Sequence, residues 1–379
     1  MANLDIDPFI VMEVMSQAAK LEQEGADVMH MEVGQPGTGA CQASVAAVTK
    51  AMTEGLSLGY TVALGQPELR QRIANHYRQN YGVGLTIDQI AITAGASGAF
   101  VLAFLAAFKK GDRVALASPG YPAYRNILVA LGMEVVTLPC DDVTGFQPTV
   151  EILERVDNLA GLIVASPANP TGTMLSETEL KRLTDYCSSR FIRLISDEIY
   201  HGLTYGKEAT TAWSFDKQTV VINSFSKYFS MTGWRVGWML MPPDLAQSIE
   251  RLAQNLFICP PTVSQVAAAG SFDGLEELDN HIEVYQESRA LLLQRLPQMG
   301  ITRLAPADGA FYVYAFIGHL TDNSLDWCKQ LLNEAHVAAT PGVDFDQDRG
   351  HQWARFSFAG STQTVTTALD RLEKWLQKS

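Results

Sequence analysis

Three apolar runs end in residues able to do chemistry. LIVA runs into Ser166-Pro-Ala-Asn169-Pro-Thr-Gly172, RLIS into Asp197-Glu-Ile-Tyr200, and VVIN into Ser224-Phe-Ser226-Lys227. If these runs are parallel strands, an amide, a carboxylate, a phenol, two hydroxyls and an amine gather at one sheet edge. That edge is where open parallel sheets bind ligands. A lysine amine can attack a carbonyl or carry a proton, and the groups around it can hold charge. Neither packing nor folding requires such a collection.

Each feature also has a plainer use. Asn-Pro-Thr-Gly is a good turn, with Gly172 free to take a positive φ. Asp197 could cap a helix following its strand. Lys227 could be a solvated surface lysine, and Arg235 could pair with a surface acid. These readings do not explain why Asn169, Asp197, Lys227 and Arg235 all fall at strand exits within seventy residues. A second glycine-rich stretch, Gly34-Gln-Pro-Gly37-Thr-Gly39, is a weaker phosphate-loop candidate. Its order is not G-x-G-x-x-G, Pro36 removes a backbone donor, and no acid closes a strand about 20 residues on. No Walker A lysine motif occurs.

The elements that must position these groups follow from hydrophobic periodicity. Apolar runs at 89–93, 113–117, 134–138, 161–165, 193–196, 219–223 and 236–241 alternate with helical stretches. Their near-continuous Val/Ile/Leu/Ala content suits strands buried on both faces. Between them, 176–190 carries a capping-box pair, Ser176 and Glu179, with Leu180, Leu183 and Cys187 on one face. The alternation predicts an α/β fold with a mostly parallel central sheet wrapped by helices. Beyond about residue 280 the pattern predicts a long helix, two or three strands including 310–315 and 353–358, and a final helix from about Thr362. The expected organisation is an N-terminal segment (1–40) joining a smaller α/β domain (281–379), with a large domain (41–280) between them.

Composition narrows the function classes. The 379 residues suffice for about two or three domains. With 28 basic and 41 acidic residues the net charge is −13, which argues against nucleic acid or an anionic membrane as partner. The longest apolar run, 99–108, is ten residues, about half a membrane span. The N-terminus carries acids where a signal peptide needs a basic start. Five scattered cysteines without C-x-x-C suit reduced thiols, and the expected location is the cytoplasm. The seven histidines show no metal-ligand spacing, so no metal is expected.

With these residues in view, the sequence resembles the class I/II aminotransferases, pyridoxal-phosphate (PLP) enzymes of fold type I, through nearly the whole chain. The anchors begin with Tyr60 in GYTVALGQPELR, Gly95-Ala-Ser97 in TAGASGAF, Tyr121 in SPGYPAYRN and Asn169 in SPANPTG. They continue with Asp197 and Tyr200 in SDEIYHGLTY, Ser224 to Lys227 and Arg235 in SFSKYFSMTGWRVG, and Arg355 in ARFSFAG. S-x-S-K with an arginine eight residues after the lysine, and N-P-T-G and D-E-I-Y upstream, is specific as a set.

The resemblance implies transfer of an amino group between an L-amino acid and a 2-oxo acid through a Schiff base on Lys227. Lys227 would then shuttle a proton, Asp197 would keep the cofactor's pyridine nitrogen protonated, and Asn169 and Tyr200 would hydrogen-bond its ring oxygen. Tyr121 would stack on the ring. Arg235, Ser224, Ser226 and the amides of Ala96 and Ser97 would hold the phosphate. Tyr60 would reach the phosphate in the neighbouring subunit, which implies a homodimer with shared sites. Arg355 would clamp the substrate carboxylate, with the backbone at Gly34 close by. In its alternating strand Arg355 is expected to point away from the aromatic side that carries Phe356 and Phe358. Some aspartate-preferring relatives have lysine where this chain has Ser97, so aspartate is in doubt as the donor unless another base such as Arg125 serves. The competing readings are a lyase on the same fold, by C–S β-elimination or ring closure of an adenosylated methionine, and a ligand-sensing domain of a transcription regulator. The last needs a basic DNA-binding region that this acidic chain lacks.

Overall fold

The computed structural model describes residues 7–378. Its strands, in chain order, are β1 (Met29–His30), β2 (Ile90–Thr93), β3 (Arg113–Ser118), β4 (Glu134–Pro139), β5 (Gly161–Ala165) and β6 (Arg193–Asp197). They continue as β7 (Val220–Ser224), β8 (Gly237–Leu240), β9 (Tyr312–Phe316), β10 (Val337–Ala338), β11 (Thr340–Pro341) and β12 (Trp353–Ser357).

All seven apolar runs read from the sequence enter one sheet, ordered β2-β8-β7-β6-β5-β3-β4. From β4 through β7 every pairing is parallel, and β8 alone runs antiparallel to both its neighbours. Strands β2, β7 and β8 are buried at every residue, as continuous apolar runs require. β4 departs from that expectation: Glu134, Thr137 and Pro139 are exposed. It is one of the two edge strands, bonded only to β3, and an acid and a proline on an edge discourage further pairing.

The helices follow their local signals. Gly95–Ala107 is apolar all round, which only a helix enclosed by other layers can be, and it packs on β7 and β8. The helix Glu177–Ser189 starts at the expected capping box, with Glu179 N–H donating to Ser176 Oγ at 3.2 Å. Its Leu180, Leu183 and Cys187 are buried together.

The C-terminal unit is a three-stranded antiparallel sheet, β11-β12-β9, beneath the helices Leu275–Gln298, Ser324–Ala335 and Thr362–Leu376. Position 280 falls inside the first of these, so the boundary expected there crosses a continuous helix. The N-terminal segment packs on this unit. β1 pairs in parallel with β10, and Val14, Ala18 and Val28 share a core with Leu332 and Ala338. Among the described residues no helix is long and apolar enough to cross a membrane.

Candidate active site

The register of the parallel strands aligns their exits. Asp197 lies beside Ala165 of β5 and Ile222 of β7. Because β8 is antiparallel, it begins where β7 ends, with Gly237 opposite both Ser224 and Thr93. A cavity of about 330 Å³ opens at this edge. Its wall includes Gly34, Ala96, Ser97, Tyr121, Asn169, Asp197, Tyr200, Ser226, Lys227, Arg235 and Arg355.

Asp197 is buried, and no helix follows it, so the helix-cap alternative fails. Instead Oδ1 accepts the Ile199 N–H at 3.0 Å and closes a turn, while Oδ2 accepts the Tyr124 hydroxyl. Burial pushes this carboxyl up to about 6, against the pull of the Tyr124 hydroxyl, the Ile199 amide and the nearby Lys227. Sequence reasoning missed Tyr124. The available signal was its place three residues after Tyr121, which is the N-cap of the helix Pro122–Ala130, and the two rings meet edge-on 5.3 Å apart.

Lys227 Nζ donates to the carbonyl of Gly34 and lies 5.7 Å from the Tyr200 ring centre. Burial, then the positive charges of Arg355 and Arg235, bring the amine down to about 8, with Asp197 opposing. Such an amine is far more often neutral near pH 7–8 than an ordinary lysine, the state a nucleophile or base requires.

The Tyr200 hydroxyl meets that of Tyr312 at 2.7 Å. Tyr312, on β9, is a second residue that sequence reasoning passed over as a strand position. It also explains Gly34, since a Cβ there would lie 1.9 Å from the Tyr312 hydroxyl oxygen.

Arg355 is 3% exposed and reaches into the cavity from β12. Its Nη1 donates to Asn169 Oδ1 at 2.8 Å, and its Nη2 to the Glu32 carbonyl and to Thr340 Oγ1 at 3.1 Å. It does point away from Phe356 and Phe358, yet its side of the sheet is also aromatic. The guanidinium lies 4.4 Å from the Tyr312 ring centre and 4.8 Å from that of Phe345. Its Nε is buried without a partner.

At the other end of the cavity the donors suit a dianion. The amides of Ala96 and Ser97 open the helix Gly95–Ala107, Ser226 contributes a hydroxyl, and Arg235 a guanidinium. Gly95 has φ +70°, and a Cβ there would meet Arg235 Nη2 at 2.5 Å. Ser224 does not reach the cavity. It sits behind Ser226, accepting the Ser226 N–H at 3.1 Å, with its Oγ 3.0 Å from Ser226 Oγ.

Tyr60 is 83% exposed and outside the cavity of its own chain. Arg125 is not in the wall either, since its guanidinium lies 3.6 Å from Asp7. The wall does contain Phe9, Val11, Met12 and Met15 from the start of the helix Ile10–Gln23, none anticipated from sequence. Apolar residues at three- and four-residue spacing were the readable signal.

A buried guanidinium, a cluster of anion donors, an amine and a carboxylate around one cavity fit a phosphorylated pyridine aldehyde together with an amino acid. Among the described residues no group of side chains could hold a metal ion.

Comparison with known proteins gives the same picture. Residues 26–372 match the family Aminotransferase class I and II. The chain is similar to a valine–pyruvate aminotransferase of Mycobacterium tuberculosis, 48% identical over 98% of this chain and 97% of that protein. It is similar to a (5-formylfuran-3-yl)methyl phosphate transaminase of Methanocaldococcus jannaschii, 34% identical over 99% and 98% of the two chains. A crystal structure of an aminotransferase from Mycobacterium tuberculosis superposes with a TM-score of 0.98 at 47% identity, covering 100% of this chain and 99% of the other.

Proposed function

This chain belongs to the class I and II aminotransferase family, and on that premise we propose that its amino donor carries a branched apolar side chain, with pyruvate or a similarly small 2-oxo acid as acceptor. It is a PLP-dependent enzyme that moves an amino group between an L-amino acid and a 2-oxo acid. The lyase alternative is not favoured by these relatives. The observation that carries the donor proposal is the apolar wall of Phe9, Val11, Met12 and Met15, which offers no cation to a second carboxylate. The relative named for valine and pyruvate supports it.

PLP, when bound, supplies an aldehyde that takes up the amino group and a ring that delocalises the electrons left at the substrate α-carbon. The chain's own residues divide the remaining work. Lys227 Nζ would anchor the cofactor covalently and, once freed by the incoming amino group, would take the proton from the substrate α-carbon and deliver it to the cofactor's former aldehyde carbon. Asp197, oriented by Tyr124, would hold a proton on the cofactor's pyridine nitrogen. Asn169 and Tyr200 would donate to the ring oxygen, and Tyr121 would cover the ring face. Ala96, Ser97, Ser226 and Arg235 would bind the phosphate, with Ser224 fixing Ser226. Arg355 orients the substrate by its carboxylate near Gly34.

The functional unit in this reading is a homodimer. Tyr60, Val62, Leu256 and Ile258 are exposed, and Thr262 Oγ1 ties their segments together by donating to the Gly59 carbonyl at 2.6 Å. A second copy covering this patch would bring Tyr60 toward its partner's phosphate site. In this reading the chain divides into an N-terminal segment, a large domain and a smaller C-terminal domain, with the second joint at the start of the helix Leu275–Gln298 instead of at 280. A cytoplasmic location accords with five unpaired cysteines.

The test is a panel of amino acids mixed with the PLP-loaded enzyme, following the cofactor's visible absorbance and the 2-oxo acid released. Valine and similar donors should give the highest kcat/KM. Aspartate or glutamate as the best donor would overturn the proposal.

A further inference from the structure

The helix Ile10–Gln23 begins without a cap of its own, since Phe9 at the N-cap offers no side-chain hydrogen bond. The first-turn N–H groups are met from far along the chain. Ile10 N–H donates to Asp344 Oδ1 at 3.0 Å and Val11 N–H to Asp344 Oδ2 at 3.4 Å, a separation of more than 330 residues. Asp344 is 3% exposed and ends the 3-10 turn Gly342–Asp344. Burial pushes its carboxyl up, against the two amides and the nearby Arg355 and Arg125. The residues leading into the helix are held by the same loop, since Gln347 Nε2 donates to Asp7 Oδ2 at 2.7 Å.

This loop also touches the rest of the site. Phe345 lies against the Arg355 guanidinium, and its carbonyl accepts the Gly120 N–H at 3.1 Å, one residue before Tyr121. The Phe9 ring in turn meets Tyr121 edge-on at 5.8 Å. A serine or aspartate at position 9 would cap the helix locally. Using a buried carboxylate from the C-terminal unit instead ties the helix to the residues that grip the substrate.

We propose that Asp344 is a positioning residue that seats the N-terminal helix as the wall against the donor's side chain, so that discrimination between larger and smaller apolar donors depends on this one carboxylate. The proposal rests on the apolar-donor reading above. Asp344 touches neither substrate nor cofactor; it acts through Val11, Met12 and Met15.

The experiment compares wild type, Asp344→Ala and Asp344→Asn in the PLP-loaded enzyme, with valine and alanine as donors in the acceptor-free half-reaction. Amide hydrogen exchange over residues 10–23 is read in parallel. In Asp344→Ala the exchange should quicken, and the valine-to-alanine ratio of kcat/KM should fall about tenfold, the scale on which an apolar pocket discriminates methylene groups. Asp344→Asn keeps one acceptor oxygen and should shift the ratio less, in the same direction. Met12→Ala removes part of the wall without touching the latch and should lower the ratio too, which covers the case in which Asp344→Ala fails to fold. A ratio that stays put while exchange quickens would reduce Asp344 to a structural cap and overturn the proposal. If wild type prefers aspartate, the donor reading itself fails; if wild type prefers valine and no Asp344 variant moves the ratio, only the latch fails.

Discussion

Asn169 Oδ1 accepts a hydrogen bond from Arg355 Nη1 at 2.8 Å, joining a strand exit of the large sheet to the middle of β12 across 186 residues. The amide thus lines the cavity proposed for the cofactor and meets the arginine proposed to hold the substrate. This contact fixes the guanidinium plane before substrate arrives, and preorganisation of that kind lowers the cost of binding a carboxylate.

Arg355→Lys should reduce kcat/KM for amino acids by orders of magnitude, since losing a buried charge-assisted pair costs about 2–5 kcal/mol and lysine cannot copy the fork. PLP binding, followed by absorbance, should stay close to wild type. A simple amine without a carboxylate should react at nearly the same rate with both proteins. Equal losses for amine and amino acid would return Arg355 to a structural role.

Tyr124→Phe should move the acid limb of the kcat/KM profile to higher pH. Its hydroxyl pulls down the Asp197 carboxyl, which burial pushes up to about 6. Without it the carboxyl protonates at higher pH and loses its hold on the pyridinium. The shift should be about one pH unit or more, since a hydrogen bond to a charged group contributes about 1.5–3 kcal/mol and one unit corresponds to about 1.4 kcal/mol. Asp197→Asn should abolish most turnover at every pH, because a neutral amide cannot hold that proton. A normal rate in Asp197→Asn would remove the assignment.

Glu198, next to Asp197, is buried, its Oε2 accepts no hydrogen bond and has only His201 Nδ1 nearby at 3.6 Å, and burial raises its carboxyl from 4.5 to about 8. A raised folded-state pKa means the folded protein binds the proton more tightly than the unfolded chain. The associated stability is fully present below about 4.5 and is lost as pH rises through about 8. Glu198→Gln should therefore flatten the decline in thermal midpoint between these values. A decline as steep as in wild type would show that Glu198 is not its source.

Shared sites predict complementation. Chains carrying Tyr60→Phe, mixed with chains carrying Lys227→Ala, should form hybrid dimers with one repaired site and activity above either parent. Hybrid activity no higher than the parents' would count against the role given to Tyr60.

The strands and the groups at their ends were readable because both signals are local. Asn169, Asp197, Tyr200 and Lys227 each follow directly on an apolar run, so periodicity that finds the strand also finds the site. Two features of the sheet were not readable: the reversed direction of β8 and the edge position of β4. Both depend on which strands pair, and an apolar run carries no mark of its neighbour. Tyr124, Tyr312 and the wall from Phe9 to Met15 were missed for a related reason. Each is an ordinary helix or strand residue whose role comes from packing against segments up to about 330 residues away. Arg125 erred the other way, a cation near the motifs in sequence that turns to Asp7 in space.

The reversal of β8 makes the loop between Lys227 and Arg235 a built-in calliper. Its jaws are the amine after β7 and the guanidinium before β8, and both strands belong to one rigid sheet. In the proposed arrangement the span from the cofactor's reacting carbon to its phosphate would be gauged by this single short piece of chain. The proposed grip on the substrate, by contrast, bridges two units through Asn169 and Arg355. A rocking of the C-terminal unit would loosen or tighten the hold on the amino acid and leave the calliper's reading unchanged, so substrates can be exchanged while the coenzyme stays measured in place.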